Sequence, residues 1–206
     1  MSESTSDAPV AHPVSTLADP TALGLIGLAV GCAALTPVAL GLSLTPAALG
    51  TAASFCLFFG AGAQLLAGLI NFVNKNLYGA TLFTAFAFNW AMNWSILSGL
   101  AEGKLPDRLV LLTVDGCFLL IFLVMTVGFG YFSKLLFLFL LDIDLLFVCK
   151  VISGALDTQV LALPIAICTI ALGLIALWIA FALLLNPVAG RTVFALGRPL
   201  FTAKKA

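Results

Sequence analysis

Apolar residues dominate this chain in six long runs, covering about 21–43, 46–72, 78–100, 107–128, 134–155 and 160–186. Each is close to the roughly 20 residues a helix needs to cross a hydrocarbon core about 30 Å thick. The connections between them are short and carry helix breakers: Thr45-Pro46, Asn74-Lys75-Asn76, Glu102-Gly103-Lys104, Gly128 to Ser133, and Asp157. Links this short make neighbouring helices antiparallel, so the pattern predicts one compact up-and-down bundle without internal repeats. The predicted class is an all-α integral membrane protein. Its six-helix transmembrane domain spans 19–190, between a polar tail, 1–18, and a basic tail, 191–206.

Composition narrows the picture further. Of 206 residues, 62% are hydrophobic and 9% charged, against about 25% charged in a soluble domain. A water-soluble core is excluded. Net charge is zero, which leaves no argument for a nucleic-acid partner. Residues 1–20 contain no Lys or Arg, so the basic start of a secretory signal is missing and a disordered tail is expected. Lys75, Lys134, Arg191, Arg198, Lys204 and Lys205 fall on the side of the C-terminal tail, and Lys104 and Arg108 on the other. That asymmetry predicts a cell-membrane protein with both termini cytoplasmic.

Enzymatic constellations are missing. The one histidine, His12, lies in the tail, there is no HExxH or P-loop, and Gly128-Phe129-Gly130 lacks the third glycine of a nucleotide fingerprint. Five cysteines (Cys32, Cys56, Cys117, Cys149, Cys168) sit in apolar runs without CxxC spacing, where they read as small buried hydrophobes. No enzyme activity, cofactor or metal is expected.

Polar groups inside the runs carry more information, because lipid cannot satisfy them. In "LFTAFAFNWAMNW", Phe86, Asn89 and Asn93 share one helical face. They suit either a conduit wall for a small polar solute or hydrogen bonding between helices. Gly27 and Gly31 form a GxxxG, and Gly60, Gln64 and Gly68 repeat on one face of the second helix; small residues let backbones approach. Four ionisable groups lie within the runs: Asp115, Asp142, Asp144 and Lys150. Each costs roughly 2.5–3.5 kcal/mol at a helix centre. Lys150 is expected to snorkel to the outer interface. Asp142 and Asp144 are separated by about 200° around the helix, so they cannot form a carboxylate pair. A carboxyl out of water favours its neutral form, which makes Asp115, Asp142 and Asp144 candidates for a proton relay.

Several stretches together resemble the acetate uptake transporter family, the acetate/succinate permeases of bacteria and fungi. Its first-span signature, Asn-Pro-Ala-Pro-Leu-Gly-Leu, is similar to Asp19-Pro20-Thr21-Ala22-Leu23-Gly24-Leu25, which matches it at Pro20, Leu23, Gly24 and Leu25. "FFGAGAQLLAG" with Gln64 and Gly68, "FTAFAFNW", and "GRTVFALG" at 190–197 follow in family order.

The resemblance implies a six-helix protomer of a homo-hexamer, with a conduit through each subunit for acetate or a similar small monocarboxylate, alone or together with protons. It also implies a hydrophobic constriction from the first, third and fifth helices. By local match this falls on Leu28, Phe86 and, counting back from Gly154, a residue at or next to Asp144. Gln64, Asn89 and Asn93 would flank it, with Asp144 turned toward the conduit. Two departures stand out: Asp19 replaces the family's Asn at the first helix's N-cap, and Asp115 lies where the family is usually aromatic or apolar. Unpaired aspartates in a conduit would suit a cation, so a channel for ammonia/ammonium, urea or another small solute stays open, as does a non-transporting sensor or scaffold.

Overall fold

The computed structural model describes residues 17–202, so His12 and nearly all of the tail over 1–18 lie outside the described residues, as do Lys204 and Lys205. Among the described residues six helices make up the fold: α1 (Thr21–Ala39), α2 (Pro46–Val73), α3 (Leu77–Ala101), α4 (Arg108–Phe129), α5 (Lys134–Leu156) and α6 (Ala162–Ala189). Their starts follow local chemistry. Thr45, Asn76, Asp107 and Ser133 each accept a hydrogen bond from the backbone N–H three residues on, satisfying a donor that the first turn leaves open. α1 begins at Thr21, so Pro20 stands at its N-cap and Asp19, expected there, lies one residue before it, accepting from the N–H of Thr21 at 2.9 Å.

Four helices, α1, α2, α4 and α6, are long and apolar enough to cross a membrane. The other two are of similar length, at 25 residues for α3 and 23 for α5. They carry the polar groups instead: Asn89 and Asn93 in α3, and Lys134, Asp142, Asp144 and Lys150 in α5. The chain is a multi-pass membrane protein.

The helices close into a ring. α1 packs along α6 and α2, α2 along α3, α6 along α5, and α5 along α4. α4 meets α3 through side chains: Phe86 stacks on Phe122 at 4.7 Å between ring centroids, and Tyr78 sits edge-on to Phe129 at 5.6 Å. Glycines set the closest approaches. Gly27 lies against the Phe59 carbonyl and Ala63, while Gly31 and Gly60 flank the two faces of Trp90's indole neighbourhood, with no room for a Cβ at either. The GxxxG of α1 therefore serves packing within the chain. Gly68 lies as closely against Thr84.

Two features were not anticipated. The middle of α2, Cys56–Ala63, is π-helical, a widened turn that displaces side chains from the 3.6-residue register. And residues 191–202, expected as a basic tail, fold back on the bundle. Asn186 holds this segment, accepting from the N–H groups of Val193 and Phe194 at 2.7 and 3.0 Å and donating to the Phe194 carbonyl at 2.8 Å. The carbonyls of Arg198 and Leu196 then accept from the N–H groups of Lys134 and Leu135, both at 3.0 Å, capping α5 from outside.

Candidate functional site

The bundle has a terminal end, where α1 begins and α6 stops, and a loop end, which carries the connection 102–107. At the loop end a cavity of about 210 Å³ is lined mainly by apolar groups of α1, α3, α5 and α6, among them Leu35, Phe86, Phe147 and Leu172. Its polar lining is Asn89, Asn93, Lys150 and Thr169. At the terminal end a smaller cavity, about 120 Å³, is lined by Leu25, Asn76, Tyr78, Phe83, Phe129 and Phe139.

Between the two lies an apolar layer. On α1, Leu25 borders the terminal cavity and Cys32 the loop-end cavity, with Leu28 between them. On α3, Phe83 borders the former and Phe86 the latter; on α5, Phe139 and Leu146 do the same with Ile143 between. Leu28, Phe86 and Ile143 are 1%, 5% and 0% exposed, so all three side chains are packed at this level. Phe86 stacks on Phe122, which leans on Phe147 at 5.3 Å. On α5, Ile143, the residue before Asp144, lies at this level.

The amides divide into two groups. Asn89 and Asn93 stand one turn apart in the loop-end cavity, with Asn93 Nδ2 donating to Asn89 Oδ1 at 3.3 Å. Gln64 is fully buried on α2, between Gly60 and Gly68, and neither end of its amide has a hydrogen-bond partner among the described residues. The Thr84 hydroxyl and Trp90 Nε1 are also buried without partners. An unsatisfied buried polar group costs about 1–3 kcal/mol, so this junction holds polar capacity that packing leaves unused. Gln64 follows Ala63, which abuts Gly27, the residue before Leu28; it therefore sits level with the apolar layer.

The four intramembrane charges do not converge. Asp144, expected toward the conduit, is turned to α4 instead. Its Oδ2 accepts from the Thr126 hydroxyl at 2.7 Å, it is 4% exposed, and it lines neither cavity. Asp142 faces the other way, beside the Cys168 thiol of α6, as the angle between them requires. Lys150 does not snorkel outward. Its ammonium lies 2.6 Å from Asp115 Oδ1 on α4 and 4.7 Å over the Phe147 ring. An opposite charge on the facing helix keeps it within the bundle. All five cysteines are free, and Cys117 is exposed rather than buried because its part of α4 faces outward.

No family model matches the sequence, and neither does any curated protein. The fold is similar to a solved structure, that of the bacterial acetate channel SatP. The TM-score is 0.77 at 25% sequence identity, covering 88% of this chain and 99% of that one. That protein is a channel and not an enzyme, in keeping with a chain whose sequence carries no catalytic constellation. The likeness covers nearly the whole of both chains and agrees with the resemblance drawn from the motifs.

Proposed function

We propose that the chain moves acetate or a similar small monocarboxylate across the membrane along a narrow path, channel-like or coupled to protons, that crosses the layer of Leu28, Phe86 and Ile143. The observation that carries this reading is a single apolar layer on three helices with a cavity on either side. Such a layer discriminates by charge. Moving a carboxylate from water into a medium of low dielectric costs on the order of 20 kcal/mol in the idealised limit, far more than moving its neutral acid. A proton travelling with the anion, or brief hydration of the layer, lowers that cost. Gln64, level with the layer and without partners, offers both a donor and acceptors to the passing group.

All six helices span the membrane in this reading, with both termini cytoplasmic. The orientation rests on Lys and Arg at the terminal end, and the homo-hexamer on the family resemblance. Asp115, Asp142 and Asp144 remain the carboxyls available to a proton. A cation permeant is disfavoured because neither Asp142 nor Asp144 lines a cavity. A scaffold without transport is disfavoured by the unpartnered amide of Gln64 beside the layer.

The test is uptake of labelled acetate into proteoliposomes with and without a pH gradient. Saturable, protein-dependent uptake is expected, enhanced by an alkaline interior if protons are coupled. Uptake equal to that of protein-free vesicles removes the proposal.

A further inference from the structure

At the loop end, the 210 Å³ cavity shares a wall with a second one, about 250 Å³, which borders Arg108, Asp115, Ser153 and Asp157. The shared wall consists of Lys150 and Ile165. The Lys150 side chain is 32% exposed, and its ammonium is held by Asp115 on one side and the face of Phe147 on the other. An ammonium has three N–H donors. Asp115 engages one of them, and a ring face accepts no conventional hydrogen bond. The cation therefore keeps donor capacity at the boundary between the cavities.

We propose that the inner cavity is a binding site for a monocarboxylate with an acyl chain longer than that of acetate. Its carboxylate is taken by Lys150 with help from Asn89 and Asn93, and its chain lies against Phe86, Phe147 and Leu172. This deepens the transport reading and rests on it only for the route by which the acid arrives.

Three observations fix the ligand class. One cation and a pair of amides provide for a single carboxylate. The remaining wall is apolar apart from the Thr169 hydroxyl, which donates to the Ile165 carbonyl at 2.9 Å, so a second charge at the far end of the ligand has no charged partner. The volume exceeds what acetate fills, since apolar cavities of about 150 Å³ in other proteins take up benzene. Asp115 sets the affinity: it competes for the same ammonium, so it weakens an anion's hold on Lys150 while keeping the lysine in place when the site is empty.

The experiment uses the full chain in detergent, with Trp94 and Trp178 replaced by Phe, so that fluorescence reports Trp90 on the cavity wall. Acetate, butyrate, valerate and succinate are titrated. Valerate and butyrate are expected to bind more tightly than acetate, and succinate more weakly. Lys150→Gln is expected to weaken valerate binding about tenfold or more. Lys150→Arg should retain most of it, and Asp115→Asn should strengthen it. The double variant Lys150→Gln/Asp115→Asn removes both charges together, so no lone charge is left to disturb folding; it should bind as weakly as Lys150→Gln. Unchanged valerate affinity in the double variant overturns the proposal. So does a weakening by Asp115→Asn equal to that of Lys150→Gln, which would make the pair a purely structural tie. Tight binding without flux in proteoliposomes defeats the transport reading and leaves this site standing; flux with unaltered kinetics in the Lys150 variants does the reverse.

Discussion

The two cavities on either side of the apolar layer are built differently. The loop-end cavity holds an ammonium, two amides and a hydroxyl. The terminal cavity is bordered by aromatic and aliphatic groups, with Thr21, Asn76 and Tyr78 as its polar members and no charged side chain. Their anchoring differs as well. Trp90, on the loop-end wall, is 4% exposed and wedged against Gly31 and Gly60; Tyr78, on the terminal wall, is 40% exposed and lies over Gly128. Charged and amide groups thus gather at the tightly packed loop end, and the terminal end is softer and neutral.

The contrast breaks most severely at the layer itself. Phe86→Ala removes a buried ring that also supports Phe122, and is expected to cost about 3–5 kcal/mol, read as a fall in thermal unfolding temperature. Next comes the rigidity of the loop-end wall. At Gly60 an added Cβ would stand 2.6 Å from the Trp90 ring, so Gly60→Ala should cost about 1–3 kcal/mol in the same assay. The matching change at the softer end, Gly128→Ala, meets the Tyr78 ring, which has room to swing aside. Its strain is offset by the roughly 0.5–1 kcal/mol that Ala gains over Gly in a helix, and stability should barely change. If the two glycine variants are equally harmful, the two ends do not differ in rigidity.

Two further changes probe what supports the cavities. Asn186→Ala removes three hydrogen bonds to the returning segment, each worth about 1 kcal/mol. Local release is expected, seen as faster amide exchange at Lys134 and Leu135 without global unfolding. The smallest effect belongs to Asp144→Asn. It keeps an acceptor for Thr126 at a link worth about 0.6 kcal/mol, so stability and acetate flux should both stay near wild type. A large loss of flux would return Asp144 to the conduit.

Much of this was legible in the sequence. Six apolar runs, the breakers between them and the small-residue faces led to the helices and to their close contacts. What escaped has physical causes. The π-helical stretch over Cys56–Ala63 depends on backbone hydrogen-bond register, which side-chain periodicity does not record. The partner of Lys150 lies 35 residues away, and no period along α5 says which face of α4 it meets. The returning segment was read by its basic residues, although Val193, Phe194, Leu196 and Phe201 were an apolar signal among them.

The central claim is that solute crosses the layer of Leu28, Phe86 and Ile143. Its most direct test is the ratio of labelled acetate to labelled succinate flux in proteoliposomes, for wild type and Phe86→Ala side by side. Passage through the layer predicts a wild-type ratio strongly in favour of acetate that falls toward unity when the ring is removed. A ratio unchanged by Phe86→Ala, in a variant that remains folded, would mean that the path lies elsewhere.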